Sequence, residues 1–265
     1  MPSPRCKAPE LQPSRDAVPP GVGEGSDPIP GGGLKSADEV YAAVDFPAAP
    51  ASRPFCYINM VTTIDGKILS GSRDDHVLDL GSKTDHVLMK RLEAYADGVM
   101  VGAQTLRVGP KGWTPLPRVK IVVSKSGDLP FDAGFLSAPG AWVATTDDSP
   151  VQQRGGVQVI RAGRGTVDLS VLFDRLRKEL GIQRLLVLGG SELNAQLLAS
   201  DLVDELFVTI APKVKLGRDV PTYADGDSLP REKLQQYSLV EHHAIGDELF
   251  IRYRRKPNAG QQVDA

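Results

Sequence analysis

The sequence predicts an α/β protein built on a mixed, mostly parallel sheet with flanking helices and an antiparallel C-terminal edge. Three observations predict it. Between Val99 and Leu198, short apolar runs alternate with helical or looped segments, the pattern that feeds parallel strands through crossovers. Within that block, Arg184-Leu185-Leu186-Val187-Leu188 is apolar enough for a strand buried on both faces. It passes through Gly189-Gly190 into a segment with Leu193, Leu197 and Leu198 on one helical face. Beyond residue 204 the runs alternate apolar and polar, and Gly246-Asp247 joins the last two as a hairpin.

The elements follow in chain order. Residues 1–53, crowded with Pro and Gly (Pro19-Pro20-Gly21, Pro28-Ile29-Pro30-Gly31), are expected to be a disordered arm, too poor in apolar surface to offset the entropy of ordering. Inside it, Ser36 and Glu39 have capping-box spacing, which allows a short helix over 36–44. The folded domain is expected to span 54–256, with 257–265 a polar tail. It opens with a strand, Phe55 to Thr63, rich in β-branched and aromatic residues. The turn Ile64-Asp65-Gly66-Lys67 leaves Asp65 and Lys67 at the strand end, where sheet-based sites commonly sit. Ser82 caps a helix over 83–95, whose Leu88, Leu92 and Tyr95 share a face.

Gly98 to Gly102 is a short buried strand leading through Ala103-Gln104 to Thr105, a strand-to-helix turn carrying a glycine and a hydroxyl. Residues 119–124 and 141–146 read as strands ending in hydroxyl side chains, and 156–160 as another strand. Asp168 to Leu180 has Leu169, Leu172, Phe173, Leu176 and Leu180 on one stripe and stops at Gly181. The central strand and the Gly189-Gly190 turn come next, and strands at 205–211, 237–245 and 248–254 close the sheet.

Composition narrows the function classes. A net charge of -2 over 265 residues gives no basic excess for nucleic acid or an anionic membrane, so a small molecule or another subunit is the expected partner. Two cysteines, Cys6 and Cys56, without zinc or redox spacing, and no bilayer-length apolar run or secretory pattern suit a reduced, cytoplasmic setting. The histidines lack ligand spacing, and His242-His243 on a strand point to opposite faces, so no metal is expected. Neither a nucleophile elbow nor a Walker loop occurs.

Strand ends carry the remaining signal. Gly102 to Thr105, Ser124, Thr145-Thr146 and Gly189-Gly190-Ser191 place small and hydroxyl residues along one sheet edge, suited to an extended phosphate-bearing ligand such as a dinucleotide. At the Gly189-Gly190 turn, the free N–H groups of the following helix favour an anion.

These residues also carry a resemblance. Thr62-Thr63-Ile64-Asp65-Gly66-Lys67, Asp97-Gly98-Val99-Met100-Val101-Gly102-Ala103-Gln104-Thr105, Leu186-Val187-Leu188-Gly189-Gly190 and Leu202-Val203-Asp204-Glu205-Leu206 with Ile210-Ala211-Pro212-Lys213 stand in the order of one family's motifs. The chain resembles, over about 54–255, the C-terminal reductase domain of the bifunctional riboflavin-biosynthesis deaminase/reductases and its stand-alone relatives, which share the dihydrofolate reductase fold. The resemblance implies an NADPH-dependent reductase, usually a homodimer, that reduces the ribosyl group of 5-amino-6-(5-phosphoribosylamino)uracil to ribityl. No zinc motif of the deaminase kind appears in the first 50 residues.

Carried across, the resemblance assigns cofactor contacts to Thr105, Ser124 and Gly189, Gly190, Ser191, Glu192 and Leu193, with Gly102 and Thr145 joining them from the strand-end pattern. Lys67 becomes the group that holds or polarises substrate. Asp65 either orients Lys67, relays a proton, or serves only the turn. Thr62, Ser82, Leu188 and Trp113 are the candidate substrate contacts. Three departures concern that substrate half. Gly109-Pro110-Lys111-Gly112-Trp113-Thr114-Pro115-Leu116 replaces a motif whose Arg helps bind the substrate phosphate. Leu188 replaces a substrate-contacting Glu, and Glu93 a substrate-contacting Arg. Two alternatives stay open: a dihydrofolate or pterin reductase, suggested by Leu188 and Trp113, and a non-catalytic NADP(H)-binding protein.

Overall fold

A computed structural model describes residues 36–75 and 79–257. Its strands are β1 (Phe55–Thr63), β2 (Gly98–Gly102), β3 (Val119–Val123), β4 (Ala141–Thr145), β5 (Gln158–Arg161), β6 (Arg184–Val187), β7 (Glu205–Ala211), β8 (Tyr237–Ile245) and β9 (Glu248–Arg255). The helices are α1 (Lys83–Tyr95), α2 (Ala103–Val108), α3 (Gly134–Ser137), α4 (Leu169–Lys178) and α5 (Ser191–Ala199). The nine strands form one sheet in the order β5-β4-β3-β2-β6-β1-β7-β9-β8. Pairing is parallel from β5 to β7 and antiparallel at β7–β9 and β8–β9. The predicted class and its antiparallel edge are therefore present.

Alternation along the strands divides the interior in two. In β1, Phe55 and Tyr57 join the core under α1, while Cys56 and Ile58 join the core under α4 and α5. Leu172, Phe173 and Leu176 of α4 and Leu197 of α5 are fully buried against that second face. Each such side chain contributes roughly 1.5–3 kcal/mol through burial. The Ser82 side chain accepts from the N–H groups of Thr84 and Asp85, fixing the start of α1. Between β3 and β5 the connections carry only the one-turn α3 and loops, so regular strand–helix alternation is looser there than expected.

The expectation of a disordered arm up to residue 53 needs correction for 36–53. Val40 and Tyr41 are buried in the first core, and Phe46 packs edge-on or tilted against Phe55, Tyr57, Tyr95 and Phe207 with ring centroids 4.8–6.0 Å apart. The anticipated helix over 36–44 is a series of turns. Glu39 does accept from the backbone N–H and hydroxyl of Ser36, but Tyr41 adopts φ 54°, which ends any helix there. Three apolar side chains on an irregular segment fill a groove without leaving a periodic trace. Residues 1–35, the other part of that arm, and 258–265 of the tail lie outside the described residues.

Deleting residues 1–35 is expected to leave melting temperature and turnover unchanged, given their few apolar residues. Extending the deletion through Pro47 removes Val40, Tyr41 and Phe46 together. It should lower the melting temperature by roughly 10 °C or more, since several kcal/mol of burial are lost. Thermal melts by circular dichroism on the two truncations decide the point.

Candidate active site

The parallel strands present their C-terminal ends at one edge of the sheet, and a cleft of about 980 Å³ opens there. That is the upper end of the range for small-molecule sites. One part is built from the first turns of α2 and α5. Gly102 and Gly190 are the N-cap residues of these helices and supply no side-chain cap, so the leading N–H groups lack that competitor. The two turns are tied together, because the Gly102 N–H donates to the Gly189 carbonyl at 2.7 Å. Gly189 has φ +83° and a side chain there would strike the Met60 sulfur, so only glycine fits. The Gly189–Gly190 peptide is cis. Gly190, Ser191, Glu192 and Leu193 line the cleft beside Gly102 and Thr105.

Further along the same edge lie Ser124, Lys125 and Ser126 after β3, and Thr146 and Asp148 after β4. The Ser124 hydroxyl oxygen accepts from the Gly127 N–H at 3.0 Å, shaping that turn. The Thr146 hydroxyl and the Gly165 N–H hold the Asp148 carboxyl below the ordinary carboxylate range. Together these residues make a polar rim with an ammonium, suited to the ribose and phosphate end of a dinucleotide.

Other lining residues are more apolar. Leu188 and Trp113 are among them, the latter packed on Phe135 with ring centroids 5.3 Å apart. Asn59 enters from β1, and Asp85, Met89 and Lys90 from α1. Asp85 is only 8% exposed, and burial lifts its carboxyl above the usual range while a Thr209 side-chain hydrogen bond opposes the rise. Lys90 is paired with the buried Glu93 at 2.8 Å, and Glu93 also accepts from the Leu116 N–H at 2.9 Å. Glu93, standing where the family resemblance places an Arg, thus ties α1 to the segment that departs from the family motif.

The candidates from the sequence divide unevenly. Gly102, Thr105, Ser124, Leu188, Gly190, Ser191, Glu192, Leu193 and Trp113 line the cleft. Thr145 does not: it is fully buried, its hydroxyl turned to the Lys125 carbonyl at 3.4 Å, and the next residue, Thr146, reaches the cleft instead. Successive side chains of a strand face opposite sides, so an error of one residue inverts the assignment. Ser82 also lies outside the cleft lining, its hydroxyl donating to Glu248 while accepting from two helix N–H groups. Thr62 is buried within β1 beside β7. Gly189 supports the turn from behind the cleft wall.

Lys67 and Asp65 are placed beside the cleft, not in its lining. The Lys67 ammonium donates to the Val220 carbonyl at 3.0 Å, while the adjoining Ile68, Leu69 and Pro221 form cleft wall. The Asp65 carboxylate accepts from the Thr63 hydroxyl at 2.6 Å and from the N–H groups of Lys215 and Leu216. Those donors, the hydroxyl first, pull its pKa down to about 2. Asp65 therefore pins two loops together, and no bond links it to the Lys67 ammonium. Sequence reasoning missed Asn59, Asp85 and Lys90. The i, i+4 pairs Asp85/Met89 and His86/Lys90, polar or mixed and flanking the Leu88–Leu92 stripe, are the trace they leave in the sequence.

A mostly parallel sheet with two uncapped helix N-termini opening on its strand-end cleft fits a reductase of the dihydrofolate reductase-like fold. The chain belongs to the RibD C-terminal domain family, whose model matches residues 54–251. The 2,5-diamino-6-ribosylamino-4(3H)-pyrimidinone 5′-phosphate reductase of Methanothermobacter thermautotrophicus is 28% identical over 222 residues, covering 77% of this chain and 99% of that protein. The protein of the same name from Archaeoglobus fulgidus is 30% identical over 223 residues, covering 76% and 98%. The solved structure of Acinetobacter baumannii RibD superposes with a TM-score of 0.64 at 18% identity, a likeness of fold. It covers 78% of this chain, which spans 59% of that one. No helix among the described residues is long and apolar enough to cross a membrane.

Proposed function

We propose that the chain is an NADPH-dependent reductase of riboflavin biosynthesis that converts the ribosyl group of a ribosylaminopyrimidine 5′-phosphate to ribityl, acting as a homodimer. The observation that carries this reading is that the two helix N-termini, at Gly102 and Gly190, open on the same cleft that Leu188 and Trp113 line. The relatives named above are reductases of such a substrate.

When bound, the nicotinamide supplies a hydride for the electrophilic carbon of the opened, imine form of the sugar. The chain's part is orientation and charge. The first turns of α2 and α5 offer N–H groups to the pyrophosphate, and Lys125 and Ser126 suit a 2′-phosphate. Leu188 and Trp113 exclude water beside the ring. Lys67 keeps, on the family resemblance, the role of holding or polarising substrate from beside the wall that Ile68, Leu69 and Pro221 form.

NADPH should accordingly stabilise the protein well above NADH, by about 2.7 kcal/mol at a hundredfold excess over Kd. Equal melting shifts with the two cofactors would remove the 2′-phosphate site. NADPH oxidation in the presence of ribosylaminopyrimidine phosphates tests the reaction itself, and binding without turnover of any of them would sink it. In that assay Lys67→Ala should lower kcat/KM by about 10² while NADPH affinity stays unchanged. Parental kcat/KM in the variant would leave the lysine as only the Val220 anchor.

A further inference from the structure

We infer that Asp85 is the acid of this reaction, giving its proton to the ring oxygen of the sugar as the furanose opens. The inference rests on the reductase reading and adds a catalytic group to it. Opening breaks the C1′–O4′ bond. The lone pair of the exocyclic nitrogen forms the C1′=N bond, the electrons of the broken bond stay on O4′, which takes the Asp85 proton, and C1′ then takes the hydride. One proton and one hydride enter in total, and water returns a proton to the aspartate. Three carboxyls line the cleft among the described residues, Asp85, Asp148 and Glu192. Glu192 is exposed and Asp148 is held as a carboxylate at the rim after β4, whereas Asp85 is only 8% exposed. Asp65, pulled down to about 2 by its hydrogen bonds and outside the cleft lining, has no proton to give near neutrality.

The sheet register places this carboxyl. Phe55 and Tyr57 of β1 face α1, so alternation puts Asn59 and Val61 on that face too. Leu188 follows Val187, the partner of Ile58, and stands beside Asn59, while Thr209 of β7 pairs with Val61 on the other side. The Thr209 side chain hydrogen-bonds the Asp85 carboxyl. β6 and β7 lie two strand spacings apart, roughly 10 Å, so a substrate lying across β1 has Leu188 at one end and Asp85 at the other. Burial raises the carboxyl and Glu248 of β9 adds to the rise, while Thr209 and His86 of α1 oppose it. Tyr41 of the docked 36–53 segment is near enough to feel its charge. A raised carboxyl holds its proton to higher pH, and the N–H groups of the first turn of α1 favour the carboxylate left after donation.

The test uses the protein without cofactor. Opening and reclosing of the sugar ring interconverts the two anomers at C1′, so NMR exchange spectroscopy on a ribosylaminopyrimidine 5′-phosphate reads the step with no hydride present. The parent should speed the exchange about 10²-fold over buffer, the usual worth of a placed acid. Asp85→Asn should lose that acceleration with NADPH affinity unchanged, and Asp85→Glu, which keeps an acid, should restore part of it. With NADPH present, parental kcat should fall as pH rises through the Asp85 pKa, because the acid must be protonated. Asp85→Asn should turn over about 10²-fold more slowly, with that limb of the profile gone. A carboxyl that only braces Thr209 would change stability and leave both the exchange and the limb in place. A folded Asp85→Asn that exchanges anomers at the parental rate therefore overturns the inference. NADPH oxidation by a parent that exchanges anomers no faster than buffer also removes it, with no variant needed, and leaves the reductase reading standing. Exchange that depends on Asp85 in a parent that oxidises no NADPH keeps the acid and removes the reductase reading.

Discussion

Gly190→Val should abolish NADPH binding, weakening it by about 10³-fold or more, roughly 4 kcal/mol, with the fold kept. Gly190 has φ −82°, open to any residue, so the backbone does not resist the change. The obstacle is space. A Cβ at 190 lies 3.1 Å from the Thr105 hydroxyl oxygen, and the two valine methyls extend into the junction of α2 and α5, where the pyrophosphate would be held. Gly190→Ala should show a smaller loss, as only the first of these atoms is added. Cofactor fluorescence titration and circular dichroism on one sample separate binding from folding. Parental affinity in the valine variant would mean that the paired N-termini hold no phosphate.

The largest loss of stability is expected from Glu205→Ala. Glu205 is fully buried and accepts from Arg252 at 2.8 and 2.9 Å and from Arg254 at 2.6 Å. Arg252 is itself 3% exposed, so removing the carboxylate leaves a buried guanidinium with only the longer contact to Glu241, at 3.4 Å, as counter-charge. Breaking such a pair costs about 3–5 kcal/mol, which for a domain of this size lowers the melting temperature by roughly 6–20 °C. Replacing Glu205 and Arg252 together with Leu and Met should cost less than the sum of the single changes, because neither charge is then stranded. A strictly additive double variant would show that the pair is not coupled.

How far the sequence could be read depends on what each feature leaves behind in pattern. Strands such as Phe55–Thr63 and the apolar run before Gly189 are visible because burial imposes a period or a continuous stretch. The glycine-lined part of the cleft was legible for a related reason, since a backbone-built turn of this kind demands glycine and small residues in consecutive positions. The substrate part was not. Asn59, Asp85 and Lys90 come from two elements far apart in the chain, and nothing in either segment alone announces that they face one space. Val40, Tyr41 and Phe46 escaped because an irregular segment can dock through isolated side chains. Thr145 shows the opposite case, a polar residue near a strand end that looks free until its partner is seen, while Asp65 takes the turn role that stood among its alternatives.

The strand order also constrains how the chain acquires its structure during synthesis. β1 is synthesised before every other strand of this sheet, yet both its neighbours, β6 and β7, lie far downstream. Ile58 waits for Val187, about 130 residues later, which at typical elongation rates of about 5–20 residues per second means on the order of ten seconds. During that interval β2, β3, β4 and β5 can pair sequentially, each with the strand just made, while β1 remains an apolar segment with two open edges. Closure of the sheet's middle is thus a late, long-range event of high contact order. Nascent chains arrested before residue 184 should bind chaperones through the β1 segment, and the completed chain should release them.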